Sequence, residues 1–565
     1  MGVERIPTGA ADPLIGPEEA TRGGRWNVPP RFNFTRDVVD RLAAARDRIA
    51  IVFVDEEGNR REVSFAEIAG ASARWANLLR REGVERGDRV MVVLGKRPAW
   101  HAVILGALRI GAVAVPCSEM LRARDLAFRA RHSAAAAVVA ERRLEGEVDD
   151  MRDLLEVAPS IVFLDSAERR LAQESETAAT EDTTAGEHAF ILYTSGTTKD
   201  PKGAVHTHAY CFAKRSQASV WLDARPDDLV WCTAGTGWAK SIWNVLLGPW
   251  SRGAAIVLHE GGFDSEERFE LAATLGVTVL CQAPTEYRLM AKVPGLDRYD
   301  LSRVRHAVSA GEPLNPEVIR TFREAFDLTI HDGYGQTENT LLLGNFPGAE
   351  IRPGSMGHPS PGHEMAVIDE DAAEVAPGEE GDVALRGHPP TLFVGYHNAP
   401  DETAGVFRGD WYVTGDRATR DEDGFFWFTG RADDVIVSAA YRIGPFEVES
   451  ALLAHDAVAE SAVVGKAHAE RGQIVKAFVV LRPGYEATDE LVRGLQEHAK
   501  RVTAPYKYPR EIEFVPALPK TRSGKIRRVE LRELEEERAA GRAPTTSQLA
   551  ARLADASTQL RDLRP

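Results

Sequence analysis

The sequence is poor in cysteine and in long apolar runs, and it has no excess of positive charge. Its four cysteines (Cys117, Cys211, Cys232 and Cys281) are scattered without a CxxC pair. That spacing excludes a disulfide framework and a cysteine-based zinc site, and makes a reducing cytoplasm the expected location. The longest apolar stretch, about residues 101–117, is interrupted by Arg109 and is too short to span a bilayer, so no stable membrane insertion is expected. With 69 Lys and Arg against 85 Asp and Glu, the formal net charge is −16, which argues against a nucleic-acid partner. Residues 1–6 lack a basic-then-apolar leader, and Ile6 spoils a myristoylation motif. No internal repeat is evident. The Gly-x4-Gly-Lys-Ser/Thr spacing of the common P-loop is missing as well.

What remains is a chain of 565 residues, too long for a single core and of ordinary globular composition. From residue 50 onward, short β-branched runs alternate with amphipathic helical stretches. Strands are expected at residues 50–54, 89–94, 136–140, 160–164, 255–258 and 277–281, with helices at 64–81 and 100–109. Asp264 and Glu267 read as a capping box, and Asn315-Pro316 as an N-cap followed by proline at the first helical position. The Glu/Thr/Ala-rich residues 174–186 read as a flexible connection. After Gly354 the texture turns to short strands and turns, and beyond Asp434 to a compact mixture of strands and helices, including one opened by Pro445.

The expected fold class is therefore α/β. A large N-terminal domain (1–432) holds helix-flanked, largely parallel sheets and a small β-rich subdomain. A small α+β C-terminal domain (433–535) follows, then a charged, solvent-facing helical tail (536–565 and the residues just before it).

The stretch around which the chemistry is organised is Thr194-Ser195-Gly196-Thr197-Thr198-Lys199-Asp200-Pro201-Lys202-Gly203, directly after the apolar run 188–193. Small residues let backbone amides approach an anion, hydroxyls donate to it and lysines neutralise it, so the stretch suits a polyphosphate. A plain polar surface loop has the same composition, and only the rest of the chain separates the two. Residues 309–314, Ser-Ala-Gly-Glu-Pro-Leu, place a glycine where a flat ligand could approach the backbone. Residues 332–338, Asp-Gly-Tyr-Gly-Gln-Thr-Glu, offer an aromatic face, a hydroxyl and a carboxylate suited to a base, a phosphate and Mg²⁺. Residues 411–416 put Asp416 after a tight turn, able to accept both hydroxyls of a ribose. Gly430-Arg431-Ala432-Asp433-Asp434 marks a domain boundary. Lys525 sits on the glycine-containing loop 519–526 near the C-terminus.

These six stretches, in this order across roughly residues 55–528, resemble the acyl-adenylate-forming superfamily of acyl-CoA synthetases, peptide-synthetase adenylation domains and luciferases. The branch they look most like is the medium-chain acyl-CoA synthetases. The resemblance implies that a carboxylic acid attacks Mg·ATP to give acyl-AMP and pyrophosphate, and that CoA then takes the acyl group. It assigns catalysis to Lys525, Thr337 and Glu338, with Glu338 on the metal. Thr194, Ser195, Gly196, Thr197, Thr198 and Lys202 would hold the pyrophosphate portion. Gly311, Glu312, Pro313, Asp332, Gly333, Tyr334, Gly335, Gln336 and Phe428 would surround the adenosine, with Asp416 and Arg431 on the ribose and Arg442 on phosphate. Ala439, Ala440, Tyr441 and Arg471 would meet CoA, and Asp433 would be the hinge on which the C-terminal domain turns. His206 and His208 read as structural.

Ala439-Ala440 stands where relatives carry Ser-Gly, which favours as an alternative an adenylating ligase with an amine or carrier-protein acceptor. Gly335, which replaces a tryptophan of acetate-specific relatives, implies room for a longer acid. Trp238, Lys240 and Trp243 would wall that pocket, so a short- to medium-chain or branched acid is expected, with a benzoate-type acid as runner-up. A silent sensor on the same fold is the remaining alternative. The oligomeric state is left open.

Overall fold

Two large sheets carry most of the chain up to residue 431. The computed structural model describes residues 26–194, 201–431, 434–438, 441–468, 471–503, 507–520 and 526–539, with the backbone alone of Val437, Tyr441 and Arg442. The first sheet has seven strands, in the order Gly395–Tyr396, Gly203–Thr207, His188–Tyr193, Val113–Pro116, Arg89–Val93, Ala135–Ala140 and Ser160–Phe163. It is parallel except where Gly203–Thr207 runs against both of its neighbours.

The second sheet has nine strands: His358–Pro359, Leu341–Gly344, Ile330–Gly335, His306–Ala310, Val279–Gln282, Leu229–Cys232, Ala255–His259, Ile49–Val54 and Arg60–Ser64. Its middle is parallel and its two ends are antiparallel. Strands buried on both faces need near-continuous apolar sequence, and Val113–Pro116 and Val279–Gln282 are buried at every position.

One core joins the sheets through the helices Phe65–Arg81 and Pro98–Arg109. The first opens on a complete capping box between Ser64 and Glu67. The second is apolar almost all round and buried from Trp100 to Arg109. Arg109, which interrupts the longest apolar stretch, is neutralised by Asp40 at 2.6 Å.

A five-stranded antiparallel sheet, with strands Met365–Ile368, Glu380–Arg386, Phe407–Arg408, Trp411–Arg420 and Phe426–Arg431, forms the β-rich part. A separate five-stranded sheet follows, with strands Ile436–Ser438, Tyr441–Ile443, Val458–His468, Gly472–Leu481 and Glu511–Phe514. Helices Pro445–Leu453 and Asp489–Val502 pack on it, giving the small C-terminal α+β domain.

Four local expectations are corrected. Asp264 caps its helix by accepting from the amides of Glu266 and Glu267, but the reciprocal bond from Glu267 is absent, so there is a cap and no box. Asn315 occupies the N-cap position without capping; its amide reaches Ser450 Oγ at 2.8 Å instead.

Residues 174–186 form a fixed strap. Asn77 donates to the Ser175 and Thr177 carbonyls, Arg80 to the Ala179 carbonyl, and Phe32 N to the Thr183 carbonyl. The helix Arg528–Ala539 is solvent-facing on one side only: Glu533 and Glu536 are exposed, while Leu531 and Leu534 are buried in the core shared with Val464 and Phe478 of the C-terminal sheet.

Candidate nucleotide and acyl site

The parallel strands His306–Ala310 and Ile330–Gly335 lie side by side and end together. Their carboxyl ends therefore deliver Gly311-Glu312-Pro313 and Tyr334-Gly335-Gln336 to one place, where open parallel sheets commonly bind ligands. A cavity of about 870 Å³ opens there, between the strand ends and the C-terminal domain.

It is lined by Thr194, Lys202, Gly311, Glu312, Pro313, Asp332, Gly333, Tyr334, Gly335, Gln336, Thr337, Glu338, Asp416, Phe428 and Arg431, all singled out in the sequence. Ser195, Gly196, Thr197, Thr198, Lys199, Asp433, Ala439, Ala440 and Lys525 lie outside the described residues, and of Tyr441 and Arg442 only the backbone is described. Arg471 lies next to the strand Gly472–Leu481 and does not line the cavity.

Asp416 does not follow a tight turn; it sits within the ten-residue strand Trp411–Arg420. Against Glu380–Arg386, the register jumps from Asp382↔Arg417 to Ala384↔Val413, a bulge with Gly415 at φ +76° inside it. Bulges re-aim side chains, and this one turns Asp416 into the cavity. Tyr334 Oη donates to Asp416 Oδ2 at 2.6 Å and Gln336 Nε2 donates to the same oxygen at 2.8 Å. The partner strand places Arg431 directly opposite Asp416.

Glu338 faces the cavity with Oε1 accepting from Tyr396 Oη at 2.7 Å. Among the described residues no group of three or more His, Cys, Asp or Glu is arranged to hold a metal. Mg²⁺ is commonly bound through one or two carboxylates together with substrate phosphates, so the single Glu338 carboxylate fits a nucleotide-borne Mg²⁺ and no protein cage for it is needed.

Lys202 pairs with Glu402 at 2.6 Å and stacks over Tyr396. Its backbone is joined to Thr194 by two hydrogen bonds, one to the Thr194 hydroxyl and one from the Thr194 amide. Asp332 is buried with Oδ2 accepting from the Leu314 amide at 3.2 Å, and burial pushes its carboxyl up to about 7. His206 is buried beneath Thr337 and in contact with its carbonyl at 2.8 Å; burial pushes it down to about 3 and keeps it neutral.

The acyl-pocket expectation fares differently. Trp238, Lys240 and Trp243 do not line this cavity. The Lys240 ammonium is held by the Gln282 and Ala310 carbonyls at 2.7 and 3.1 Å. A Cβ on Gly335 would meet the Thr340 carbonyl oxygen at 1.8 Å, so the missing side chain makes way for backbone and does not by itself open an acyl pocket.

Other lining residues escaped the sequence reading. Arg288 and Lys292 come from and just beyond the helix Pro284–Met290, which carries no motif. Lys292 Nζ reaches across to the Ala459 carbonyl at 2.7 Å, and burial pushes it down to about 8. Tyr396 and Lys520 also line the cavity. Lys520 lay inside a quoted motif, and it pairs with Glu460 at 2.6 Å.

A site of this form, with strand-end glycines, a tyrosine–aspartate pair and a carboxylate facing one cleft beside a small C-terminal domain, suits a nucleotide-binding enzyme. The chain belongs to the AMP-binding enzyme family: residues 39–397 match that family's model, and residues 447–525 match its C-terminal domain. It is 43% identical over 519 residues to the uncharacterized acyl-CoA ligase YtcI of Bacillus subtilis, covering 90% of this chain and 97% of that protein. It is 41% identical to the mitochondrial acyl-coenzyme A synthetase ACSM3 of Mus musculus, covering 90% and 91%. Among solved structures, the anthranilate CoA ligase AuaEII in complex with anthranoyl-AMP superposes with a TM-score of 0.85 at 29% identity, over 91% of this chain and 99% of that one.

Proposed function

We propose that this cavity joins ATP to a short- to medium-chain carboxylic acid as acyl-AMP, releases pyrophosphate, and passes the acyl group to CoA. The class of reaction is that of an AMP-forming acid–thiol ligase. The observation that carries this reading is the convergence of Tyr334, Asp416 and Glu338 on one cleft with Thr194 and Lys202 beside them.

The substrate carboxylate bonds to the α-phosphorus as the bond to the bridging oxygen of pyrophosphate breaks. Two anions must meet, so preorganised positive donors are the catalytic need. In this reading Tyr334 and Gly311–Pro313 flank the adenine, Asp416 and Arg431 hold the ribose, and Thr337 donates to the α-phosphate. Lys202 and Thr194, with the residues of the loop between them, face the departing phosphates, and Lys525 bridges the α-phosphate and the carboxylate. Mg²⁺ held at Glu338 would neutralise phosphate charge. For thioester formation, a turn about Asp433 would remove Lys525 and bring Ala439, Ala440, Tyr441 and Arg471 to CoA, with Arg442 on phosphate. Among the described residues no helix is long and apolar enough to cross a membrane, and a cytoplasmic location is part of the proposal.

The test is pyrophosphate release with a panel of carboxylates, with and without CoA. Acyl-CoA formation that depends on CoA is the expected result. Release that CoA does not accelerate would move the acceptor to an amine or carrier protein, with Ala440 as the suspect. Silence with every acid would overturn the adenylating reading and leave a sensor. An aromatic acid is the second reading, favoured by the likeness to an anthranilate CoA ligase.

A further inference from the structure

Asn315 stands where local chemistry asks for a helix cap, directly before Pro316 at the start of the helix Pro316–Phe326. It is 2% exposed, yet its side chain makes no capping bond. Arg288 Nη1 donates to Asn315 Oδ1 at 3.3 Å, and a guanidinium only donates, so this contact fixes which end of the amide is oxygen. The Nδ2 end then donates to Ser450 Oγ at 2.8 Å, on the helix Pro445–Leu453 of the C-terminal domain. The helix forgoes its cap for a bond to another domain. A local rule broken in this way is expected at functional positions.

Both ends of the bond lead to the cavity. On the N-terminal side, Arg288 pairs with Glu312 at 3.0 Å and donates to Thr285 Oγ1 at 2.8 Å, and Glu312, Arg288 and Asn315 all line the cavity. On the C-terminal side, Glu449 precedes Ser450 on the same helix. It accepts from Arg528 Nε at 2.9 Å and Nη2 at 2.6 Å, and from the Val463 amide at 2.8 Å. Arg528 lies three residues beyond Lys525 in the chain, and Ile526, Arg527 and Arg528 line the cavity. Holding Ser450 therefore holds the end of the lysine-bearing segment against the nucleotide site. The bond from Lys292 Nζ to the Ala459 carbonyl crosses the same cleft.

We propose that Asn315 is a positioning residue for acyl-adenylate formation. Its bond to Ser450 docks the C-terminal domain in the orientation that brings residues 526–528 to the cavity, and the bond breaks when the domain turns for thioester formation. The inference rests on the adenylating reading above and adds the contact that sets the orientation.

The experiment follows the two half-reactions separately: pyrophosphate release from ATP and hexanoate, and hexanoyl-CoA formation from preformed hexanoyl-AMP and CoA. Asn315→Ala and Ser450→Ala should each slow pyrophosphate release about fivefold, the usual worth of one hydrogen bond. The double variant should be no slower than either, because both changes remove the same contact. Thioester formation should not slow in any of them, and Ser450→Thr, which keeps the hydroxyl, should match the wild type. Equal losses in both half-reactions, or losses that multiply in the double variant, overturn the proposal. Ser450→Ala removes one half-buried hydroxyl and decides the matter if Asn315→Ala fails to fold.

Docking is also read without turnover. A short bis-maleimide should join the domains of the full chain carrying Lys292→Cys and Ala459→Cys, since the four native cysteines are buried. Adding Ser450→Ala should slow that joining by a similar factor, and an unchanged rate overturns the docking role of Asn315 whether or not hexanoate reacts. Joining that slows as expected in an enzyme that releases pyrophosphate with no carboxylate overturns the adenylating reading instead, and the catalytic role of the contact with it.

Discussion

Lys214 and Lys476 are both buried, at 1% and 4% exposure, but their surroundings differ completely. Lys476, on the strand Gly472–Leu481, has Glu535 at 2.7 Å and Glu513 at 2.8 Å, with Glu511 at 3.9 Å. Arg538 binds two of the same carboxylates. The C-terminal domain thus balances its buried charge within the chain and ties the helix Arg528–Ala539 to its sheet in doing so. In the N-terminal domain, Lys214 on the helix His208–Val220 faces the Tyr210 and Trp243 rings and the Gln217 amide oxygen. A charge neutralised by its own fold ties elements together, whereas burial with no carboxylate beside it favours the uncharged amine at Lys214.

The sharpest test of that contrast is Lys476→Met. Removing one member of a buried ion network strands the others, so a loss of about 3 kcal/mol is expected in chemical denaturation of the full chain. Arg538 keeps the loss from being larger. Lys214→Met should instead leave stability unchanged or raise it by about 1 kcal/mol, because an apolar group replaces an uncompensated buried polar one; a loss as large as that of Lys476→Met would erase the comparison.

The pH dependence sharpens it further. Burial pushes the Lys214 ammonium well below its ordinary 10.5, so between the two values the unfolded chain holds a proton that the folded chain lacks. Wild-type stability should therefore climb with pH across that window, and the Lys214→Met protein should lack this climb. Asp332 makes the same comparison for a carboxyl group. Its pKa is raised from 3.8 to about 7 by burial, so the folded state keeps a proton that the unfolded state has lost. Stability should fall as pH rises through that window, and Asp332→Asn should flatten the fall, the smallest of these effects.

The site was more legible in the sequence than its surroundings. Tyr334, Glu338 and Gly311 belong to short motifs at or just beyond strand ends, and the topology that aligns those ends gathers them, whereas Asp416, inside the strand Trp411–Arg420, reaches the cavity through the bulge at Gly415. The helix Phe65–Arg81 was equally legible, because its apolar spacing is local. The strap 174–186 was not. Its polar composition reads as a linker, while the groups that fix its carbonyls, Asn77 and Arg80, come from a distant helix.

Asn315 has the right local chemistry for a cap, but tertiary contact with Ser450 wins. Gly335 was read as empty space because nothing in the sequence shows that the Thr340 carbonyl fills it. Lys292 and Arg288 reach the cavity only because their segment packs across the strand ends, a placement that no motif announces.

The pairing of Gly203–Thr207 also bears on how the chain is made. This strand begins just beyond the proposed phosphate loop, and its outer edge is covered by Gly395–Tyr396. On the ribosome that edge stays open until synthesis has reached residue 396, and unpaired edges invite association with other chains. Bringing such distant segments together is also slow relative to local helix formation. The loop proposed to meet the departing phosphates therefore gains its last flank late in folding, after most of the two large sheets has already been synthesised.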